Sequence, residues 1–142
     1  MEAYYLREQQ AAISGTETIL VVDDEEVVRL VLRTILAYRG YQIVDVSSGE
    51  EAIAKIHSTP LFYDLVLLDI NMPGLNGWET LERLRAERAD IPTILLSGGP
   101  AEGAGEKALE AGAAALLLKP FQNSDLLRLV RKTLDAAKIE RN

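Results

Sequence analysis

The chain has 142 residues, 48% of them hydrophobic and 26% charged, with 22 acidic against 15 basic side chains and a net charge of −7. That composition fits one soluble globular domain able to bury a core unaided, and its acidic balance argues against a phosphate-backbone binder, whose affinity comes from clustered Lys and Arg. There is no cysteine, which excludes disulfides and thiolate metal sites. Residues 1–10 hold no apolar core of signal-peptide length, and the longest apolar stretch, Ala113 to Leu118, is too short to span a bilayer. A cytoplasmic location, with no membrane contact by the chain itself, is therefore expected.

Residues 1–16 differ in pattern from the rest of the chain. Tyr4, Tyr5, Leu6, Ala12 and Ile13 interleave with Arg7, Glu8, Gln9 and Gln10 before Ser14-Gly15-Thr16 break the pattern. They read as an N-terminal extension or linker, either a short helix or a frayed end. From residue 17 to 142 the chain reads as one domain of alternating strands and helices.

The first strand is Thr18 to Val22, and the first helix runs from about Glu25 to Tyr38 with Val28, Leu32, Ile35 and Leu36 on its inward stripe. Gly40 stops it in the position that favours a left-handed cap. Tyr41 to Val46 is the second strand and about Gly49 to His57 the second helix. A loop at Pro60 leads to the third strand, Asp64 to Asp69. Asn76 and Glu79 have the spacing of a capping box at the start of the third helix. Pro92 to Ser97 is the fourth strand, about Pro100 to Ala111 the fourth helix, and Ala114 to Leu118 the fifth strand. Ser124 can cap the fifth helix, where Leu127, Val130 and Leu134 share a face. Five βα units without a long insertion predict a doubly wound, five-stranded parallel sheet in the flavodoxin-like order 2-1-3-4-5, with five helices.

In such a sheet the functional crevice lies beyond the carboxyl ends of the strands. Three apolar runs end there in polar residues: Ile19 to Val22 in Asp23-Asp24, Leu65 to Leu68 in Asp69, and Leu116 to Leu118 in Lys119. Asp23 and Asp24 are adjacent carboxylates that repel unless a cation joins them. Mg²⁺ suits them, because it takes a few carboxylates plus waters and phosphate oxygens; helix N-capping is the alternative. Asp69 is a nucleophile, a metal ligand or a turn residue before Pro73-Gly74, and Asn71 can offer its carbonyl to the same metal. Ser97 can hydrogen-bond a phosphoryl oxygen, with Gly98 and Gly99 leaving room, or it is a turn residue. Lys119, with its stem among apolar neighbours, needs a counter-charge that the acidic strand ends can supply. His57, near the end of the second helix, reads as structural. Trp78 reads as cover for the core edge, and Met72 and Phe121 as packing around the site.

Asp23-Asp24, Asp69 with Met72-Pro73-Gly74 and Gly77, Ser97, and Lys119-Pro120-Phe121 together resemble the receiver domain of two-component response regulators, of chemotaxis-regulator-like form. The resemblance covers about residues 17 to 138. It implies that Asp69 takes a phosphoryl group from the phosphohistidine of a histidine kinase or phosphotransfer domain. It further implies that Asp24, Asp69 and the Asn71 carbonyl hold Mg²⁺, that Asp23 acts through water, and that Ser97 and Lys119 bind the phosphoryl oxygens. Such a domain is a phosphoacceptor in a phosphorelay rather than an enzyme acting on a separate substrate.

Two departures bear on output. The family usually places Tyr or Phe three residues before the Lys, where this chain has Leu116, so a ring-flip read-out is not expected. Gly103 and Gly105 each cost about 1 kcal/mol of helix propensity relative to Ala. No effector motif follows the fifth helix. The expected contexts are a single-domain regulator acting on a downstream protein partner, with no direct nucleic-acid contact, or the receiver of a hybrid kinase. A Mg²⁺-dependent phosphatase of the haloacid dehalogenase type would want a second carboxylate where Asn71 stands. A binding-only pseudo-receiver would usually have lost part of the acidic set.

Overall fold

In a computed structural model of the chain, residues 13–59, 62–99 and 103–141 are described. Five strands alternate with five helices: β1 (Thr18–Val22), α1 (Glu26–Tyr38), β2 (Gln42–Val46), α2 (Gly49–Ser58), β3 (Leu65–Asp69), α3 (Gly77–Glu87), β4 (Thr93–Ser97), α4 (Ala104–Glu110), β5 (Ala115–Leu118) and α5 (Asn123–Arg141). All four strand pairings are parallel, in the order β2-β1-β3-β4-β5. The fold is the one expected, and each strand begins within one residue of its expected start.

The sheet separates two cores because successive strand side chains point to opposite faces. Leu20, Val22, Val66 and Leu68 meet Ala52 and Ile56 of α2, Leu81 and Leu84 of α3 and Ala108 of α4. Ile19, Val21, Leu65 and Leu67 meet Leu32 and Leu36 of α1 and Leu126, Leu127, Val130 and Leu134 of α5. β1, β3 and β4 are buried on both faces, so their sequences read as continuous apolar runs rather than alternations.

Local chemistry fixes most element ends. Gly40 has φ +101°, a conformation costly for any residue with a Cβ, and lies just past α1 as expected. Asn76 and Glu79 form the capping box of α3: Asn76 accepts from the Glu79 N–H at 3.0 Å and Glu79 accepts from the Asn76 N–H at 3.4 Å. Two ends differ from expectation. The fifth helix begins at Asn123, which places Ser124 inside it; the Asp125 carboxylate instead takes the Gln122 N–H at 3.3 Å. The fourth helix spans only seven residues, starting after Gly103, whose φ of +74° is left-handed. The expected features at Leu6, Pro60 and Pro100 lie outside the described residues.

Candidate phosphoacceptor and metal site

Strand register brings the acidic residues together. Val22 of β1 pairs with Leu68 of β3, so Asp23 and Asp69, each the next residue, leave the sheet side by side. Asp24 comes next, in the loop before α1. One carboxylate oxygen from each of Asp23, Asp24 and Asp69 lies within 4.8 Å of the others. Asp23 and Asp69 are buried, at 1% and 4% exposure, whereas Asp24 is open to solvent.

Lys119 closes the cluster from β5. Its Nζ is 3.6 Å from Asp23 Oδ2 and 3.6 Å from Asp69 Oδ1. The peptide bond to Pro120 is cis, and the Lys119 N–H donates to the Ser97 carbonyl at 2.7 Å, which joins the ends of β4 and β5. Ser97 is buried one residue beyond Leu96, the partner of Asp69 in the ladder, and its Oγ accepts the Gly99 N–H at 3.2 Å. Asn71 is exposed on the loop after Asp69 and gives its N–H to Asp69 Oδ1 at 3.3 Å. The structure thus gathers Asp23, Asp24, Asp69, Asn71, Ser97 and Lys119 at the carboxyl edge of β1, β3, β4 and β5.

Charge is poorly balanced there. Burial, and then the neighbouring Asp23 charge, push the Asp69 carboxyl above its ordinary range; Lys119 and the Asn71 N–H pull the other way without prevailing. Asp23 Oδ1 accepts the Glu25 N–H at 2.9 Å, but Asp23 Oδ2 is buried with no hydrogen-bond partner. A buried carboxylate oxygen without a hydrogen bond is expensive, and Asp23 Oδ2 has only the shared Lys119 ammonium at 3.6 Å to offset its charge. Three carboxylates facing one ammonium form a hard, all-oxygen donor set with acceptor capacity to spare for a cation or a cation-bound water. The residues fit Mg²⁺.

The turn after Asp69 is packed tightly enough to hold its geometry. Gly77 donates its N–H to the Ile70 carbonyl at 2.9 Å, and a Cβ on Gly77 would lie 2.4 Å from Ile70 Cα, so only glycine allows α3 to start this close. Met72 is buried in the core beneath the turn, and Phe121 packs half-buried against the α1–α5 core. Trp78 covers the edge of the other core with Lys107 Nζ 4.3 Å from its ring centre. His57 lies in the last turn of α2, mostly exposed, with Nδ1 3.4 Å from Glu87. Leu116 is half-buried against the α2–α4 core.

Two groups that hold the site and its scaffold escape sequence reading. Arg29 reaches back from α1 to the Asp23 carbonyl, and Arg131 of α5 joins Glu17 at the opposite sheet edge. The signal for the first is a lone Asp45 in an apolar strand with Arg29 and Arg33 four apart on the preceding helix. The second rests on residues 114 apart in the chain and leaves no local trace.

The model of the response regulator receiver domain matches residues 19–131, and the chain belongs to that family, the receiver domains of two-component signal transduction. It is 38% identical over 119 residues to the transcriptional regulatory protein ResD of Bacillus subtilis, covering 84% of this chain and 48% of ResD. It is 32% identical over 120 residues to the response regulator SaeR of Staphylococcus aureus, covering 84% of this chain and 51% of SaeR. The chain thus spans about half the length of these relatives. Among solved structures, a CheY-like receiver domain protein from Methanospirillum hungatei superposes with a TM-score of 0.82 at 31% identity, over 89% of this chain and 99% of that one. NtrX from Brucella abortus superposes with a TM-score of 0.83 at 28% identity, over 89% of this chain and 29% of NtrX. Among the described residues no helix is long and apolar enough to cross a membrane.

Proposed function

We propose that residues 17–142 form a receiver that accepts a phosphoryl group on Asp69 from the phosphohistidine of a histidine kinase or phosphotransfer domain. The carrying observation is the buried pair Asp23 and Asp69, whose two carboxylates share one Lys119 Nζ at 3.6 Å from each, with Asp23 Oδ2 making no hydrogen bond. A structural ion cluster would have matched its charges. This one is short of positive charge where a phosphoryl group would arrive.

An Asp69 carboxylate oxygen attacks phosphorus; the new O–P bond forms as the P–N bond breaks, and the imidazole leaves with its electron pair. The product is an acyl phosphate on Asp69. Lys119 offsets charge on the phosphoryl oxygens, and the Ser97 hydroxyl, whose oxygen accepts the Gly99 N–H, donates its own hydrogen to one of them. Asp24, Asp69 and the Asn71 carbonyl would hold Mg²⁺, with Asp23 acting through water. The ion supplies, when bound, the charge that lets an anionic donor approach a carboxylate cluster. The domain works in the cytoplasm as a single-domain regulator or as part of a longer signalling protein, with residues 1–16 as its extension and a protein partner downstream.

The test is labelling with acetyl phosphate and Mg²⁺, with the added phosphate located by mass. Wild-type protein should gain one phosphoryl group on Asp69, and Asp69→Asn should gain none. Full labelling of that variant would refute the assignment. Steady turnover of a phosphomonoester would make the chain a phosphatase instead, and no labelling with no Mg²⁺ response would make it a binding-only module.

A further inference from the structure

The acidic loop is held by a side chain with no part in the chemistry above. Arg29, one turn into α1, donates from Nη1 to the Asp23 carbonyl at 2.8 Å and from Nε to Asp45 Oδ2 at 3.1 Å. Its side chain is only 16% exposed and that of Asp45 only 18%. The Asp23 carbonyl belongs to the peptide plane that joins Asp23 to Asp24, so the direction of that carbonyl decides where the Asp24 side chain emerges. The other handles on Asp23 are its N–H, given to the Val46 carbonyl at 3.2 Å, its Oδ1, taken by the Glu25 N–H, and its Oδ2, 3.6 Å from Lys119 Nζ. The Glu25 bond closes a turn around the Asp23–Asp24 peptide, and Arg29 is the side chain that holds the carbonyl of that peptide itself.

The geometry points to Arg29 as a positioning residue for the cation site: by clamping the Asp23 carbonyl against Asp45, it presents Asp24 and Asp23 in the arrangement that binds Mg²⁺. This rests on the reading of the acidic cluster as a Mg²⁺ site. A guanidinium suits the task because its planar fork meets a carbonyl and a carboxylate at once, which an ammonium does only as a point charge. Asp45 has a second role here. It offsets the charge of Arg29, which limits the positive potential the clamp brings to a site meant for a cation. Arg33 also pairs with Asp45 but is half exposed, and the Asp23 carbonyl takes its guanidinium bond from Arg29.

Electrostatics and positioning predict opposite signs, which makes the idea easy to break. Deleting a positive charge near a cation site should tighten Mg²⁺ if charge alone matters. If Arg29 positions the ligands, its loss should weaken Mg²⁺ by tenfold or more, the usual consequence of removing an outer-shell partner. The measurement is calorimetric titration of the whole chain with Mg²⁺ alone, beside melting in chelator. Arg29→Met should weaken Mg²⁺ at least tenfold, while Arg33→Met, which deletes the same charge from the same helix, should stay within twofold of wild type. Arg29→Lys keeps the charge and guards against a variant that fails to fold; it should weaken Mg²⁺ severalfold. A lower melting temperature in chelator with unchanged Mg²⁺ affinity in the Arg29 variants would make the residue a structural brace and overturn the inference. Equal weakening by Arg33→Met would overturn it too. Wild-type protein that ignores Mg²⁺ would remove the cation site itself, and this inference with it.

Discussion

Both edges of the sheet carry clustered charge, yet they are built differently. At the edge where the strands begin, Glu17 accepts from Arg131 at 2.5 and 3.0 Å, and Arg131 also reaches the Ser14 carbonyl, the Tyr41 hydroxyl and Asp135. Every donor of that fork is directed at an acceptor, and the Arg131 hydrogen bonds lower the Glu17 carboxyl to about 2. At the edge where the strands end, Asp23 keeps a buried oxygen without a hydrogen bond, and Asp69 is pushed above its ordinary range. The same residue types thus serve two purposes. Matched charge ties residues 14–17 and Tyr41, just before β2, to α5, and the other edge keeps an excess of carboxylate.

The sharpest way to break this comparison is to remove Arg131. Its side chain and that of Glu17 are 14% and 12% exposed, so Arg131→Met leaves a nearly buried carboxylate with only the exposed Lys138, 3.5 Å away, to offset it. We expect about 3 kcal/mol of lost stability, seen as a melting temperature lower by about 10 °C, with the increment gained from Mg²⁺ unchanged. A loss of Mg²⁺ response would mean that the two edges are coupled.

The converse variant is Asp24→Ala. It removes a proposed direct ligand from an exposed position, so melting in chelator should change little. Wild-type protein should gain about 2.7 kcal/mol when Mg²⁺ is at 100 times its dissociation constant, and the variant should lose most of that. A retained Mg²⁺ increment would mean that the ligand set is wrong.

Geometry explains why one edge is legible in the sequence and the other is not. Parallel strands of equal length end on one line, so an Asp or Lys that closes an apolar run declares its place; Asp23, Asp69, Ser97 and Lys119 are found this way. Asn76 and Glu79 are legible because a cap is written within four residues. Glu17 and Arg131 meet only after the whole domain has closed, and Arg29 finds Asp45 and the Asp23 carbonyl only after β1 and β2 have paired. The fourth helix starts later than its sequence pattern suggests because Gly103 takes a left-handed φ, which the sequence permits but does not demand.

A third prediction uses pH to sharpen the contrast. The Glu17 carboxyl titrates at about 2 in the folded chain against an ordinary 4.5. The stability it supplies is therefore complete above about pH 4.5 and is lost as pH falls from there towards 2. Glu17→Gln should cost about 1.5 kcal/mol at pH 7, the worth of a charge-assisted hydrogen bond, and the gap to wild type should close across that window. Urea unfolding at pH 7, 4.5 and 3 measures it, and a gap that stays constant to pH 3 would refute the assignment.

The smallest expected effect concerns how a filled site is felt elsewhere. α4 is the least supported helix: seven residues, Ala108 as its one buried side chain, no side-chain cap, and Lys107 over Trp78 as a link to α3. Such a segment is where ordering can carry a signal, and with Leu116 in place of a ring it is the route left open. Ser97 Oγ accepts the Gly99 N–H, so a phosphoryl oxygen drawing on the same hydroxyl pulls on the Gly98–Gly99 stretch that precedes that helix in the chain. Beryllofluoride with Mg²⁺ should slow hydrogen exchange across Ala104–Glu110 severalfold while leaving the amides of 14–17 and of the lower half of α5 unchanged, because that edge is already satisfied. Equal protection of α4 in both states would mean that it is not the responding element. Protection spreading to residues 14–17 would show that the matched edge takes part in signalling rather than bracing the fold.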